Sequence, residues 1–434
     1  MMDASRREFV ADTGIPRGGA ASRVGGRGRG RGFRRAGLLL LLGLAGWSCP
    51  SGNGVVVVPP PPDVPESTGP EMMSAAVSAS AWPEADSLFR KEPAWLGGDI
   101  ASTVDLGGDR TLWLFGDSFI ATSDSMIRTE AAVVRNTIAL QTGRDPSNAS
   151  IDFFWRRGRA GPRAFIRDEG EAWFWPLHGV RQGDSLTLFY RRMAPQRGGS
   201  AGAAEAVGWI ALRIGGLDAA LPEWDPAEVG TFESGFPVVV GVSVLVHDGH
   251  VYAYAVEDPG DHDAYLVRWT EEAFTAGNLA AAQWWNGPSA GWVDPTALTG
   301  PPAPVFTGAQ TEFSVSWSEE VRGFVEVQDG LGTAATVAAR FSPTPEGPWS
   351  ELKDVFRPPE SDQAGLLVYG AKAHAELTGA HLLATYLADS QDFTTSLMDS
   401  SLLYPRFVRL TFGSAGPVAE GASPEAAGPA PGSP

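Results

Sequence analysis

The chain of 434 residues holds a single cysteine, Cys49, which excludes disulfides and any thiolate metal cluster. It has no Gly-rich phosphate loop and no HExxH, so the chemistries those motifs serve are not indicated. Its longest apolar run, Gly37 to Ala45, is too short to span a bilayer. Lysine is nearly absent, with only Lys91, Lys353 and Lys372. Net positive charge is also lacking: the formal charge is −18, and residues 1–36 carry nine arginines against three acids, which leaves −24 on the rest. Such a body repels phosphate backbones. Nucleic acid is therefore not an expected partner.

Arg27, Arg29, Arg31, Arg34 and Arg35 precede the apolar run, and Ser48 and Cys49 follow it, which is the charged, apolar and cleavage order of an export signal. The residues before Arg23 make an over-long charged region, as if translation started later. The stretch "LAGWSC" resembles a bacterial lipoprotein processing site in which Cys49 would become the lipidated first residue, although Gly46 replaces the usual leucine. Plain secretion is the alternative. Only a lipid anchor at Cys49 would give membrane contact. Residues 1–48 are thus read as a signal peptide, 49–84 as a Pro/Ser-rich tether, 85–413 as the folded body and 414–434 as a disordered tail. The expected location is extracytoplasmic, secreted or anchored at a bacterial envelope.

Abundant glycine and short Val/Leu/Phe runs in the body favour many short strands. Five segments share one plan, an opening strand, a Gly/Asp turn and a strongly apolar strand. They begin at Gly97, Trp175, Val238, Thr311 and Tyr369, and further strand-like sequence follows each. Four antiparallel strands repeated radially make a propeller blade, so the expected fold is all-β, a five-bladed β-propeller. The segment from Leu402, "LLYPRFVRLTF", is suited to completing a blade with chain from the other terminus. A β-sandwich would not require five hairpins in the same phase.

In the first segment, "WLGGDIASTVDLGGDRTLWLFGDSFI", Asp99 enters an apolar hairpin and Asp117 leaves it. A four-residue turn sets Asp99 opposite Ser118, whereas one bulged residue sets it opposite Asp117. Two neighbouring carboxyls repel, which raises one pKa and leaves the partner ionised, the division that glycoside cleavage needs. Their separation would decide stereochemistry, with inversion the expected outcome. The plainer reading makes Asp99 a turn residue and Asp117 a strand cap.

The order "WLGGD…LWLFGDSF…RNTIALQTG", then "WPLHG", "VSVLVHDGHVYAYAVED", "ARFSPTPEGPWS", "YGAKAHAEL" and "YPRFVRL" resembles the domain of unknown function 4185 and its relatives over roughly Trp95 to Phe412. That resemblance implies a five-bladed propeller glycoside hydrolase, of a group that includes endo-D-arabinanases, with the two acids at Asp99 and Asp117. Trp95, Asn136, His178, Glu312, Tyr369 and His374 are candidate substrate-binding residues. Each also has a structural reading, because buried polar groups satisfy backbone partners. Arg135 could bind sugar hydroxyls or pair with a neighbouring strand, and Glu257 and Asp258 read as loop acids. The Asp261 to Asp263 "DHD" reads as a solvated loop, so no metal or cofactor is expected.

The leading expectation is a glycoside hydrolase acting on a polysaccharide or oligosaccharide, arabinan among the candidates, as a monomer. The alternative is a non-catalytic cell-surface propeller that binds glycan or protein.

Overall fold

The computed structural model describes residues 75–413 apart from 198–203, 233, 259, 333–334 and 378–380. The leader and Cys49 lie outside the described residues. Strands dominate, and they assemble into five main antiparallel sheets.

Sheet 1 comprises Ser102–Gly107, Arg110–Phe115, Thr137–Thr142 and Ser150–Phe154. Sheet 2 comprises Trp173–Gln182, Ser185–Pro195, Ala204–Gly215 and Ala227–Gly230. Sheet 3 begins with Val239–His247, His250–Val256 and Ala264–Thr270, and two short strands, Gln283–Trp285 and Trp292–Val293, finish it. Phe313–Ser318, Gly323–Asp329, Val337–Ser342 and Lys353–Phe356 form sheet 4. Sheet 5 takes Leu366–His374, Leu382–Ser390 and Arg406–Phe412, then Val77–Ala81 from the far end of the chain. The tether expected to run to residue 84 therefore gives way to structure by Val77: Val77 pairs with Phe412 and Ala81 with Val408, so this strand's backbone groups complete the fifth sheet.

All five expected hairpins are present, and each supplies the first two strands of one sheet. The turn chemistry explains them. In the first, Gly108 and Asp109 both take positive φ, +58° and +60°, as a two-residue hairpin loop requires, and only glycine, asparagine or aspartate adopt that readily. One expected strand ends early. "AYLVRWTEEAF" is strand only to Thr270, whose hydroxyl accepts the Ala273 N–H and caps the helix Glu271–Thr275.

Both faces of these sheets are apolar because each sheet packs against the next. Leu112 and Leu114 of sheet 1 cluster with Leu188 and Tyr190 of sheet 2. Phe189, Val240, Tyr254 and Phe313 link sheets 2, 3 and 4. Val325 and Phe341 meet Ala384 and Val408 between sheets 4 and 5, while Trp113 and Phe115 meet Leu383 and Phe407 between sheets 5 and 1. At roughly 1.5–3 kcal/mol for each large apolar side chain buried, these layers are the main source of cohesion. The five first strands touch in cyclic order, sheet 1 to 2, 3, 4, 5 and back to 1. Residues just before or early in those strands consequently gather at one end of a shared axis.

Candidate functional site

Asp99 follows the short strand Trp95–Gly98, which pairs with Ser118–Ile120, Gly98 opposite Ser118. One extra residue decides what Asp99 faces. Asp105 lies opposite Thr111 but Gly107 lies opposite Arg110, so the strand gains a residue at Leu106, and Ser102 then pairs with Leu114. Asp99 is thereby set against Asp117, whose carbonyl accepts its N–H at 3.2 Å. The Asp99 carbonyl accepts from Gly116 at 2.9 Å and from Ala101 at 3.0 Å. The second bond closes a tight turn on Ile100, a branched residue held at φ +78°. Left-handed backbone at such a residue costs on the order of 1–3 kcal/mol, and strain of this kind concentrates at functional sites.

Gly97 makes the approach possible. Its φ is +122°, and a Cβ there would lie 2.6 Å from the Leu403 carbonyl oxygen. The "GGD" sequence is thus packed against the loop that leads into the last strand.

The two carboxyls have different partners. Asp99 is half-buried and accepts the Tyr369 hydroxyl at 2.5 Å from sheet 5. Burial, with the nearby carboxylates of Asp117, Glu312 and Asp389, raises its pKa from 3.8 to about 7, against the lowering effect of the Tyr369 bond. Asp117 is also half-buried, and burial raises its pKa too. It is opposed by Arg135, 2.9 Å from Oδ2, and by the Trp175 indole N–H, 2.9 Å from Oδ1. Asp99 is therefore prepared to hold a proton near neutrality. At Asp117 a cation and a neutral donor oppose the rise that burial causes.

Glu312, at the start of sheet 4, pairs with Lys372 at 3.2 Å, and Lys372 also donates to the Ser102 hydroxyl at 3.1 Å. Asp329 accepts the Gly370 and Ala371 N–H groups at 2.9 Å, which fixes the strand that carries Tyr369. Asp258, read from sequence as a loop acid, pairs with the buried Arg191 at 3.2 Å, and Arg191 donates to the Thr311 carbonyl beside Glu312. These groups lie toward the same end of the first strands as Asp99.

Other candidate residues lie elsewhere. Trp95 is fully buried, stacked 4.6 Å from Phe153 with its N–H on Thr137, so it presents no ring face to a substrate. Asn136 is also fully buried. Its amide bonds the Ile166 and Phe174 carbonyls and its oxygen accepts the Ile166 N–H, which leaves nothing for a sugar. His374 is sealed between the Thr103 and Thr385 hydroxyls at 2.7 and 2.8 Å, and burial lowers its pKa to about 3. His178 accepts the Val244 N–H at 2.9 Å, and burial and Lys372 lower its pKa to about 4. It lines a cavity of about 580 Å³ with Val104, Val180, Ser316, Trp317 and Glu376, at the opposite end of the first strands from Asp99. These corrections share one cause: alternation along a strand does not identify which neighbouring sheet satisfies a polar group. Trp175 and Asp329 were not anticipated as site residues. The former stands in "WFWPLHG", where successive aromatics face opposite sides, so Trp173 and Trp175 share one face. Among the described residues, no group of three or more His, Cys, Asp or Glu side chains is placed to hold a metal ion.

A family model described as a domain of unknown function (DUF5005) matches residues 84–412. The 4185 name suggested by the motif order is not confirmed by that match. No curated protein matches the chain. Among solved structures, a candidate hydrolase from Bacteroides ovatus is similar at a TM-score of 0.60 with 16% identity, over 80% of this chain and 97% of that one. The catalytic domain of a GH62 α-L-arabinofuranosidase from Coprinopsis cinerea gives 0.42 with 13% identity, over 80% and 98%. An endo-arabinase from Bacteroides thetaiotaomicron gives 0.41 with 12% identity, over 76% and 97%. The first of these similarities extends to the fold alone.

Proposed function

The chain belongs to the DUF5005 family, and for this member we propose a glycoside hydrolase built on a five-bladed propeller, each main sheet a blade, with Asp99 as general acid and Asp117 as general base. One observation carries the proposal. Two carboxyls opposed across a single hairpin have unequal surroundings: burial raises both pKa values, that of Asp99 to about 7 with a neutral hydroxyl beside it, whereas a guanidinium and an indole N–H oppose the rise at Asp117. Asp99 donates its proton to the glycosidic oxygen as the bond to the anomeric carbon breaks. Asp117 takes a proton from water attacking the opposite face of the sugar. Tyr369 orients the acid from blade 5 and Trp175 orients the base from blade 2. Inversion is the stereochemical outcome of this reading, and the separation of the two carboxyl groups is the quantity on which it depends.

The signal peptide, the lipidated Cys49 and the extracytoplasmic location belong to the same proposal, as does a monomeric state: an export leader and an acidic body suit an enzyme that meets polymer outside the cell. The test is product analysis after incubation with plant, bacterial and mycobacterial polysaccharides, arabinans included. New reducing ends from the wild type, absent with folded Asp99→Asn and Asp117→Asn, are expected. Undiminished release by either variant removes that residue from the chemistry. Glycan binding without any product would support a non-catalytic propeller instead.

A further inference from the structure

The most unusual charge distribution on this acidic body lies beside blade 1. From Trp155 to Arg167 the sequence has five arginines, Arg156, Arg157, Arg159, Arg163 and Arg167, and no acid. Four of them, all but Arg159, line a cleft of about 790 Å³ together with Phe153, Phe154 and Trp155. That volume falls in the range of small-molecule sites. Glu92 is the one acid in the lining, and it is engaged by the Ala94 N–H at 2.9 Å.

Arg156 is anchored by the Phe165 and Trp224 carbonyls at 2.8 and 3.1 Å. Arg157, Arg163 and Arg167 are exposed and have neither an ion pair nor a hydrogen bond among the described residues. In the lining, the buried Trp155 indole N–H also has no partner among the described residues. Asp168 acts on Arg163 and Asp225 on Arg156 from nearby, yet neither forms an ion pair with the cluster, and like charges gathered with so little direct pairing cost energy. A buried donor without a partner costs more.

The cleft lies toward the same end of blade 1 as the carboxyl pair. The outer strand of blade 1 ends at Phe154 opposite Ile138, next to Thr137, which pairs with Phe115 two residues before Asp117. Phe153 stacks 4.6 Å from Trp95 and 5.6 Å from Phe115. The cleft thus opens at the same end of the sheets as Asp99 and Asp117.

Resting on the hydrolase reading, we infer that this cleft is a subsite for acidic sugar units, so that the substrate is an anionic glycan bearing carboxylate or sulfate groups. Aromatic side chains supply apolar surface for a sugar ring. Guanidinium forks match carboxylate and sulfate oxygens in pairs of hydrogen bonds. The negative body repels densely charged polymers while a local basic cleft admits sparse anionic substituents, which favours an acidic glycan over nucleic acid.

Calorimetry on the full chain carrying Asp117→Asn, so that nothing is consumed, would use trigalacturonate, a chondroitin sulfate oligosaccharide, a neutral arabino-oligosaccharide and single-stranded DNA. The expected result is binding of one or both acidic oligosaccharides at least tenfold tighter than the neutral one. Adding Arg157→Gln and Arg163→Gln should weaken it about tenfold or more, since charge-assisted bonds are lost. Which acidic probe binds tells carboxylate from sulfate. Equal binding of the neutral sugar, DNA binding as tight as either acidic sugar, or an affinity unmoved by the arginine changes would overturn the inference. Arginine-dependent binding with no hydrolysis by the wild type would sink the hydrolase reading and leave the cleft assignment standing. Hydrolysis of a neutral glycan unaffected by the arginine changes would do the reverse.

Discussion

Replacing Asp99 by asparagine should stabilise the protein at neutral and alkaline pH while abolishing turnover. The fold raises the Asp99 pKa from 3.8 to about 7, chiefly by burial. A carboxyl whose pKa is raised by folding favours the native state fully below pH 3.8, and that contribution is lost as pH rises through 7. At 1.36 kcal/mol per pH unit, the rise sets a ceiling of about 4 kcal/mol on what ionisation of Asp99 costs the fold at pH 8. Solvent contact at this half-buried group screens part of that, leaving about 2 kcal/mol. Asparagine keeps an oxygen for the Tyr369 hydroxyl and carries no charge. Urea unfolding of wild type and Asp99→Asn should therefore coincide near pH 3.5, diverge between pH 4 and 7, and differ by about 2 kcal/mol at pH 8 in favour of the variant. A variant equally or less stable at pH 8 would refute the electrostatic account of Asp99, whatever the substrate.

Three further outcomes follow from the contacts. Tyr369→Phe removes a bond that favours ionised Asp99, so the alkaline limb of the pH–rate profile should move up by about one pH unit, a charged hydrogen bond being worth roughly 1.5–3 kcal/mol; a limb that stays or falls counts against Asp99 as the acid. Arg340→Met leaves the fully buried Glu326 without its partner, 2.9 Å away, and should cost about 3–5 kcal/mol by urea denaturation, since half of a buried pair is then uncompensated. Gly97→Val forces a side chain against the Leu403 carbonyl at positive φ and should lower the unfolding temperature by several degrees, most simply read by circular dichroism.

The hairpins were legible because strongly apolar strands flank Gly/Asp turns in each of the five units. The strand at Val77–Ala81 was not: "VSASA" is short, built of small residues and adjoins a proline-rich stretch, and only its pairing with Arg406–Phe412 makes it a strand. Whether Asp99 meets Asp117 depends on one residue gained at Leu106, a register detail that alternation does not encode. Glu312 reaches the Asp99 neighbourhood because it precedes the first strand of sheet 4, and Tyr369 because it lies in the first half of the first strand of sheet 5. His374 lies deeper in the same strand as Tyr369, where threonines consume both ring nitrogens. Asn136 and Trp95 share the polar or aromatic character of ligand-binding residues, yet tertiary packing gives them backbone and core partners instead.

In the proposed chemistry, two opposed aspartates divide the roles of proton donor and acceptor. Carboxyl carbon NMR on aspartate-labelled protein, with Asp99→Asn and Asp117→Asn used to assign the resonances, measures that division without a substrate. Asp99 should titrate near 7 and Asp117 at lower pH, each shifting when the other is neutralised. Two resonances that titrate together near 4, indifferent to each other's replacement, would contradict it.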